Sequence, residues 1–501
     1  MLATFMEVLD STVVNVSLPH IAGNLSATID EATWVITSYL VSNAIVLPAT
    51  GWLSMLFGRK RFYMSCVAAF AISSIMCGMA TSLPWLVFFR VVQGIGGGAM
   101  QPISQAILLE TFPLRRRGIG MAIFGIGVVF APIIGPTLGG WITDNYSWRW
   151  IFYINLPISI LALTMTKIYV VDPPYLRRGV SRIDYMGLGL LALGIGALQV
   201  VLDNGQRHDW FQTSWITQLS ILSVAALIGL IVWELRTSHP IIDLSVLRFP
   251  NFAPGIILIF TLGIALYGSM VLLPIFLQNL LGYSAMQSGM AMSPGGIGTL
   301  IFMPVVGYLV GRRDARYLII FGMSMLVISM LMMSRYNLQI SFWDAAIPRI
   351  VMGVGLAFLF VPLSTVSFGF VPREQTGTGT GLFNLMRNLG GSFGIAGVTT
   401  MLAQRAQFHQ ARLIEHTSPY DPVYQQTLQG IISHLVSAGQ SYWMAQRMAV
   451  GIIYKTVVKQ ATLLSFVDCF WLLGAIMAGL IPVAFIMRKP PRHHDGPAGV
   501  H

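Results

Sequence analysis

Arg90-Val-Val-Gln-Gly-Ile-Gly96 returns later in the chain as Arg349-Ile-Val-Met-Gly-Val-Gly355, each time inside a long apolar stretch. Upstream, Pro48-x-x-Gly51 recurs as Pro304-x-x-Gly307 with a small slip in spacing. Downstream, the same register pairs Pro113 with Pro372, Gly118 with Gly377, Gly120 with Gly379, Phe124 with Phe383 and Gly135 with Gly394. A repeat of this kind indicates two related halves, each with an arginine in an apolar segment.

The composition is typical of an integral membrane protein and excludes a soluble globular one. Of the 501 residues, 55% are hydrophobic and 10% are charged, and the mean hydropathy is +0.71. Apolar runs of about 20 residues, long enough to cross roughly 30 Å of hydrocarbon as a helix, recur along the chain. Fourteen spans are predicted: 1–22, 33–56, 62–81, 84–109, 117–141, 148–171, 185–203, 214–235, 252–277, 286–310, 315–334, 343–368, 378–403 and 464–487.

The net charge of +11 does not indicate nucleic-acid binding, because the basic residues follow the alternation of the spans. The short loops after odd-numbered spans contain only Arg149, Arg207 and Arg335. This asymmetry predicts that both termini are cytoplasmic, and no Lys or Arg precedes Arg59 to form a signal peptide. The loops after even-numbered spans, with the tail, hold more than half of the 30 Lys and Arg: Arg59, Lys60, Arg61, Arg115, Arg116, Arg117, Lys167, Arg177, Arg178, Arg182, Arg236, Arg248, Arg312, Arg313, Arg316, Arg373, Arg488, Lys489 and Arg492.

The repeat also predicts the domain organisation. Spans one to six match spans nine to fourteen, which leaves spans seven and eight as an insert. Residues 404–463 form a long loop that alternation places away from the cytoplasm, either as a solvated or membrane-surface cap or as a docking surface for a periplasmic partner. The predicted units are an N-terminal six-helix bundle (1–171), a linker with the inserted helices (172–251), a C-terminal six-helix bundle (252–487) and a cytoplasmic tail (488–501).

Two acidic residues, Glu7 and Asp10, lie inside the first span. Their i, i+3 spacing places them on one helix face. A charge in mid-membrane costs about 2.5 to 3.5 kcal/mol, so two acids there indicate a function. Burial and mutual repulsion both disfavour the ionised forms, and the pair would titrate as a coupled unit. The structural alternative is that Glu7 lies near enough to the cytoplasmic end for its carboxylate to reach water.

Arg90 is the predicted counter-charge, because a buried guanidinium keeps its proton and must pair or contact water. Glu7, Asp10 and Arg90 are therefore the predicted proton-coupling residues, while a structural pairing of Arg90 with backbone carbonyls is the alternative. Arg349 raises the same question in the second half. Two related halves with charges inside their spans are typical of a secondary transporter whose site lies between the halves.

The substrate site is predicted between the halves, where Arg387, Asn384 and Asn388 form a polar stripe at helical spacing. Aromatic and Met-rich walls suit varied apolar ligands, although most of the 27 Met are expected to face lipid or the core. The three cysteines are interpreted as small buried residues. The predicted pocket residues are Asn15, Tyr39, Asn43, Gln93, Tyr267, Phe276, Phe383, Asn384 and Arg387.

No metal-ligand spacing, nucleophile elbow or phosphate loop is recognisable, so no catalytic residue, metal or cofactor is predicted. A membrane-embedded enzyme or sensor is the least favoured function. In the fifth span, glycines at i and i+4 allow close helix contact and prolines kink or stiffen the helix, which predicts a pivot between the halves.

Four stretches resemble motifs of the major facilitator superfamily, and more closely of its fourteen-helix drug:proton antiporter branch. Asp10–Pro19 resembles the first-helix motif, Gly51–Lys60 the cytoplasmic loop motif, Arg90–Gly96 the fourth-helix motif and Gly125–Gly140 the antiporter motif of helix five. The resemblance covers both halves and the insert. Residues expected to govern conformational change are Gly51, Gly58, Arg59, Lys60, Pro132, Gly135, Pro136, Gly139 and Gly140.

The resemblance implies two six-helix bundles with two inserted helices, and proton-driven export of hydrophobic toxic compounds. Trp148–Pro157, the long last loop and the Lys489-Pro-Pro tail are most similar to bacterial inner-membrane permeases of three-part multidrug efflux pumps. That similarity implies a periplasmic adaptor of the EmrA type and an outer-membrane channel of the TolC type. Met55 stands where the loop motif usually has Asp, so the charge relay that holds the cytoplasmic gate shut is in question.

Two alternatives keep the same fold. A proton-coupled uptake transporter would lack the glycine and proline pattern of the fifth span, and a proton-coupled exporter or importer of one specific metabolite is the second alternative. Carrying the repeat back to the first helices places Glu7 and Asp10 opposite Leu262 and Ala265. The arginines are thus duplicated while the carboxylates are not, which predicts the proton site in the first half.

Overall fold

The computed structural model describes residues 1–113, 116–173, 184–237, 240–415, 417–418 and 420–488, and these residues are almost entirely helical. Most of the predicted linker and tail, with Arg115, Arg177, Arg178, Arg182, Lys489 and Arg492, lies outside this description. The long helices, numbered in chain order, are α1 Leu2–Asn24, α2 Trp34–Phe57, α3 Arg59–Met79, α4 Leu83–Thr111, α5 Arg117–Gly125 continuing through Ile126–Phe130 and Ala131–Asn145, α6 Trp150–Tyr169, α7 Tyr185–Asn204, α8 Ser214–Glu234, α9 Phe252–Asn279, α10 Ala285–Val310, α11 Ala315–Met333, α12 Phe342–Ser367, α13 Thr376–Glu415, α14 Pro422–Ser437 and α15 Tyr442–Ile486.

Among the described residues, 11 helices are long and apolar enough to cross a membrane, or 12 if the bent α5 counts as one span. The other two predicted spans correspond to α1 and α13, which have 23 and 40 residues. Both are long enough, but polar residues such as Asp10 and Arg387 lower their hydropathy. Each of the fourteen predicted spans thus coincides with a helix. The two more polar helices, α1 and α13, contain predicted site residues.

The helices pack as two bundles with the inserted pair at their junction. In the N-terminal half α2 and α3 pack on α4, and α1 packs on α5; in the C-terminal half α9 packs on α13, and α12 packs on α10 and α11. The halves meet where α13 contacts α2 and α4, and where α5 contacts α10 and α12. The inserted helices α7 and α8 pack on each other, and α7 also contacts α2 and α13, so it touches both halves.

Glycines of the repeated motif allow equivalent helix pairs to pack closely. A Cβ atom at Gly94 would lie 2.5 Å from the carbonyl oxygen of Tyr39, and one at Gly353 would overlap the carbonyl oxygen of Gly295. These contacts join α4 to α2 in the first half and α12 to α10 in the second. The repeat therefore preserves a packing contact as well as an arginine.

The bend of α5 agrees with the predicted effect of its prolines, since the helix turns by 43° around Ala131–Ile133 after a π-helical turn at Ile126–Phe130. The predicted pivot stays a prediction. Gly135 and Gly139 pack against Thr12 and Val13 of α1, within their own half, while Thr137 lies against Gly289 of α10. The glycines of α5 that contact the other half lie earlier in the helix. Gly118 meets Gly307 of α10, and Gly125 meets Met303 and Phe360. Gly140 has no close neighbour that a Cβ would crowd.

The interval 404–463 is not an irregular loop. α13 continues to Glu415, α14 follows, and α15 begins at Tyr442, well before the predicted start of the last span. A bilayer needs about 20 helical residues, so α13 and α15, with 40 and 45, extend far beyond it. The predicted span ends at 403 and 464 do not coincide with helix ends, because hydropathy locates the apolar window of a helix and not its polar continuation. We call residues 404–463 the outer helical module.

Candidate functional site

Asp10 lies at the centre of the first half with its carboxylate completely buried. Its Oδ2 accepts a hydrogen bond from Arg90 NH1 at 2.6 Å, and its Oδ1 accepts from Asn155 Nδ2 at 2.6 Å and Gln93 Nε2 at 3.1 Å. These donors come from α4 and α6. Three donors directed at one carboxylate form a set that suits the ionised acid best, because protonation would reduce the capacity of its oxygens to accept these hydrogen bonds.

Arg90 is held by several partners besides Asp10. Its Nε donates to the carbonyl of Val35 at 3.0 Å, its NH1 also donates to Gln93, and its guanidinium lies 4.1 Å from the ring centroid of Tyr39. The carbonyl contact was the predicted alternative, and it coexists with the ion pair. Its NH2 is buried without a hydrogen-bond partner. Arg90 is thus fixed in place but incompletely satisfied.

Glu7 occupies a second polar cluster, beside the first. Tyr39 Oη and Asn43 Nδ2 donate to its Oε1 at 3.2 and 3.0 Å, and Gln101 Nε2 donates to its Oε2. Glu7 is 3% exposed, so it does not reach water at the end of the helix, as the structural alternative required. Tyr39 joins the two clusters, because its hydroxyl contacts Glu7 while its ring covers the guanidinium of Arg90.

The Glu7 cluster continues across the boundary between the halves. Gln101 donates to Glu7 through its nitrogen and accepts from Arg387 NH2 of α13 through its oxygen. One turn along α4, Gln105 Oε1 accepts from Asn384 Nδ2 of the same α13. Arg387 Nε, Gln105 Nε2 and Asn384 Oδ1 are buried without partners. Gln101 and Gln105 of the first half thus bind the polar stripe of the second half. Several polar atoms at this contact still lack a hydrogen-bond partner.

Arg349, the repeat partner of Arg90, lacks a carboxylate. Its NH1 lies 3.3 Å from Ser269 Oγ and 3.2 Å from the sulfur of Met352, and its Nε has no partner. No ion pair involves it among the residues that the structure describes. The predicted asymmetry between the halves is therefore present in the contacts as well as in the sequence.

The predicted pocket residues do not all lie together. Tyr39, Asn43, Asn384 and Arg387 lie in the polar contact around Glu7, and Tyr267 packs on Gly391, one turn beyond Arg387. Gln93 belongs to the Asp10 cluster instead, and Asn15 is exposed.

The two phenylalanines, Phe276 and Phe383, lie away from the polar contact around Glu7. Phe276 stacks on Tyr336 and contacts Phe466, and Phe383 contacts Phe368, so both rings fill the core of the C-terminal half. Their positions in apolar spans did not reveal which helix face turns toward the neighbouring half.

The loop motif closes the end of the molecule at which α2 meets α13. A Cβ at Gly51 would lie 2.7 Å from the backbone nitrogen of Thr378, so the halves touch there directly. Gly58 has φ 83°, a conformation that favours glycine, and ends α2. Arg59 forms a two-pronged ion pair with Glu110 of α4 at 2.6 and 3.0 Å, and Lys60 Nζ donates to the carbonyl of Lys167 at 2.7 Å. Glu110 therefore supplies Arg59 with a carboxylate in a loop where Met55 offers none.

Gln101, Gln105, Asn155 and Glu110 are the site residues that sequence reasoning missed. The signal was present for the two glutamines, since amides at i and i+4 inside a transmembrane helix are costly unless they have partners. Asn155 likewise interrupts an apolar run, and its Nδ2 also reaches Ser74 Oγ at 3.1 Å. In the described part of the chain no group of three or more His, Cys, Asp or Glu could hold a metal ion. The three cysteines are buried and unpaired, as interpreted from the sequence.

Similarity to known proteins extends along the whole chain. The chain is 38% identical to the multidrug export protein EmrB of Escherichia coli strain K12 over 501 residues, covering 100% of this chain and 96% of that protein. It is 36% identical to the fatty acid resistance protein FarB of Neisseria gonorrhoeae, covering 99% and 96%. The predicted similarity to bacterial multidrug efflux permeases is confirmed.

The helical arrangement has a counterpart among solved structures. The proton:xylose symporter XylE superposes with a TM-score of 0.60, covering 96% of this chain and 93% of that one at 15% identity. At that identity the likeness shows the fold alone. Residues 1–395 match the Major Facilitator Superfamily, a family of transporters and not of enzymes. With its repeat, its paired bundles and these relatives, the chain belongs to the major facilitator superfamily.

Proposed function

We propose that this protein is a proton-driven exporter of hydrophobic toxic compounds, which alternates access to a site between its halves. The observation that carries the proposal is the buried Asp10 carboxylate, held by Arg90 in one half only, beside a Glu7 cluster that reaches across to Arg387. The names of the relatives add the substrate class. One exports multiple drugs and the other confers resistance to fatty acids, and both classes of compound are largely apolar.

Protonation of Asp10 is the first step of the proposed cycle. The carboxylate accepts from Arg90, Asn155 and Gln93, and a protonated carboxyl loses acceptor capacity and the charge that balances the guanidinium. Arg90 already has one unpartnered nitrogen, so it must find new contacts. A buried arginine without its counter-charge is costly, and this cost favours another conformation of the first half.

Glu7 carries the change to the second half in this proposal. When Glu7 is ionised, Gln101 presents its nitrogen to the acid and its oxygen to Arg387. A protonated Glu7 needs an acceptor, which favours rotation of the Gln101 amide and removes the oxygen from Arg387. The halves would then separate at this contact and expose the unsatisfied groups of Arg387, Gln105 and Asn384 to substrate or water.

The driving force is sufficient for drug export. One proton crossing about 150 mV releases roughly 3.5 kcal/mol, which corresponds to a gradient of about 300-fold for a neutral solute. The polar cluster between the halves offers amides and one guanidinium rather than a shaped polar pocket. We therefore expect it to recognise apolar or weakly anionic compounds with little selectivity.

Transport in inverted membrane vesicles tests this function. Vesicles that contain the protein should accumulate Hoechst 33342 or oleate when respiration acidifies their lumen, and vesicles without it should not. Addition of the protonophore CCCP, which dissipates both the pH difference and the membrane potential, should release the accumulated compound. Accumulation that survives CCCP would show that protons do not drive transport, and movement out of the vesicles would show an importer.

The outer helical module is the proposed docking surface for a periplasmic adaptor of the EmrA type, which would continue to an outer-membrane channel of the TolC type. A periplasmic position of the outer helical module requires that the protein lie in a bacterial inner membrane with both termini in the cytoplasm, as the basic loops predict. The module exposes large apolar side chains, including Tyr420 at 93%, Trp443 at 78% and Val423 at 70%. α14 packs on α15, so these residues project from a folded unit.

Co-purification with an adaptor of the EmrA type tests the docking surface. Replacing Tyr420, Val423 and Trp443 together by Ser should reduce the recovered adaptor by about tenfold, the usual effect of removing interface aromatics. The matched control replaces three exposed residues of the transmembrane region, Ile72, Ile160 and Ile221, by Leu, and it should retain the adaptor. Equal recovery from both variants would favour a membrane-surface cap instead.

A further inference from the structure

The inserted helix α7 carries a carboxylate that the proposed proton cycle does not use. Asp203 lies near the end of α7, partly buried, and its Oδ1 accepts from Gln199 Nε2 at 3.0 Å. Its Oδ2 is buried without a hydrogen bond of normal geometry, although the hydroxyl of Thr37 lies against the carboxyl group. Thr37 belongs to α2, in the first half. An acid in a transmembrane helix with a half-satisfied carboxylate is a functional candidate by default.

The same cluster also reaches the second half. Gln199 Nε2 lies 2.9 Å from Ser392 Oγ of α13, and the Ser392 hydroxyl in turn lies 3.0 Å from Gln199 Oε1. Gln199 is 3% exposed, so its amide is held between Asp203 on one side and Ser392 on the other. Thr37, Gln199, Asp203 and Ser392, which we call the Asp203 junction, therefore join all three units of the chain at one point.

The junction is adjacent to the central site along α13. Ser392 Oγ also lies 3.3 Å from the carbonyl of Asn388, and Asn388 Oδ1 accepts from Arg387 NH2 at 3.2 Å. Five positions, or about 1.4 helical turns, thus separate Ser392, which contacts Gln199, from Arg387, which contacts Gln101. A displacement of α13 that breaks the Gln101 contact must also strain or break the Ser392 contact.

Few charges act on the Asp203 junction. α2 contains no charged residue, and the one in α8, Glu234, lies beside Gly187 near the opposite end of α7. On α13 the nearest charge along the chain is Arg387, which is engaged with Gln101 and Asn388. Arg207, one turn beyond Asp203, is the cation that acts on the carboxylate. The charge state of Asp203 therefore depends on few neighbouring charges. A change in that charge would act directly on the hydrogen bonds of Gln199.

We propose that Asp203 is a positioning residue by which the inserted helices hold the two halves together, and that loss of its negative charge weakens this hold. The ionised carboxylate orients Gln199, because a hydrogen bond to a charged acceptor is stronger than one to a neutral acceptor. Oriented in this way, Gln199 keeps both its amide nitrogen and its carbonyl oxygen within hydrogen-bond distance of the Ser392 hydroxyl. Neutral Asp203 leaves Gln199 free to rotate and releases α13 from α7. The proposal rests on the alternating access of the proposed function, but not on the identity of the substrate or on proton use at Asp10.

Distance measurements in the full-length protein test the proposal. Spin labels at Trp34→Cys of α2 and Gly397→Cys of α13, in a background with the three native cysteines replaced by Ala, report the separation of the halves by double electron–electron resonance. At about pH 8, Asp203→Asn should shift the ratio of separated to closed molecules by about tenfold, the size expected for losing one hydrogen bond to a charged group. Between about pH 8 and about pH 5, its ratio should change less than that of the unmodified protein, since one titrating carboxylate is gone.

Three variants complete the experiment. Asp203→Glu should restore the original ratio and its pH dependence, and Asp209→Asn, at an exposed acid in the same connection, should change neither. Ser392→Ala removes the contact with the second half while keeping the acid, so it should reproduce the shift at high pH and decides the matter if Asp203→Asn fails to fold. Ratios for Asp203→Asn and Ser392→Ala equal to that of Asp209→Asn would overturn the proposal. A failure of gradient-driven accumulation in vesicles would overturn the proposed function and leave these distances unaffected.

Discussion

Asp10→Asn is expected to reduce gradient-driven accumulation in inverted vesicles to the level of vesicles without the protein. Asparagine keeps the size of the side chain and can still accept from Arg90, but it cannot bind and release a proton. The variant should therefore lose the whole gradient of about 300-fold that one proton supports. Exchange of labelled for unlabelled substrate without a gradient should persist, because the substitution leaves Gln101 and Arg387, at the contact between the halves, in place.

Two controls separate lost coupling from lost folding. Asp144→Asn, at an exposed acid in the last turn of α5 in the same half, should transport normally. Breaking a buried pair costs about 3 to 5 kcal/mol, so monodisperse elution in detergent must accompany any loss of transport by Asp10→Asn. Full accumulation by a folded Asp10→Asn protein would exclude Asp10 as the coupling residue.

Glu7→Gln should have a smaller effect. Its oxygen can still accept from Tyr39 and Asn43, whereas its new amide nitrogen would face the nitrogen of Gln101. Gln101 must then rotate and give up Arg387, which weakens the contact between the halves but leaves Asp10, the proposed proton site, intact.

Gly353→Val is expected to have the largest effect on folding. A side chain at Gly353 would overlap the carbonyl oxygen of Gly295 and come within 3.0 Å of Thr299 Oγ1. That hydroxyl lies 3.1 Å from the carbonyl oxygens of both glycines, so α10 and α12 have no space in which to separate locally. Overpacking of a fixed contact costs about 1 to 3 kcal/mol per site and often more when backbone is involved.

The readout is the fraction of monodisperse protein that remains after heating, measured by size-exclusion chromatography. Gly397→Val is the matched control, because this glycine is also helical, lies in α13 and has no atom within 4 Å of an added Cβ. Its midpoint should stay near that of the unmodified protein, while Gly353→Val should lose its monodisperse peak at a much lower temperature. Similar midpoints for the two variants would mean that the repeated glycine is not a packing requirement.

The sequence allowed the architecture and the primary ion pair to be predicted, because both follow from strong physical constraints. Twenty apolar residues must span hydrocarbon, and a buried Asp10 must find a cation, for which Arg90 was the candidate in the same half. The repeat then indicated that only the first half has the acid, and Arg349 indeed has no carboxylate among its described contacts.

Other parts could not be predicted because they depend on how helices rotate about their axes. Phe276 and Phe383 have the residue type of a drug pocket, but their faces turn into their own bundle. Gln101 and Gln105 become cross-half contacts only when α13 is placed opposite α4. The ion pair of Arg59 with Glu110, in a loop that lacks the usual Asp, could not be predicted either. It depends on the approach of α4 to Arg59 in the folded protein, which no local motif encodes.

Because α13 is long, a small tilt of this helix displaces its far end by a large distance. The helix starts at Thr376, carries Arg387 at the contact between the halves and runs without interruption to Glu415 in the outer helical module. A tilt of about 10° around Arg387 would swing that far tip by about 7 Å, given a rise of about 1.5 Å per residue. A protein bound at the tip would therefore be moved by each transport cycle, and by reciprocity it could brake the cycle by holding the tip still.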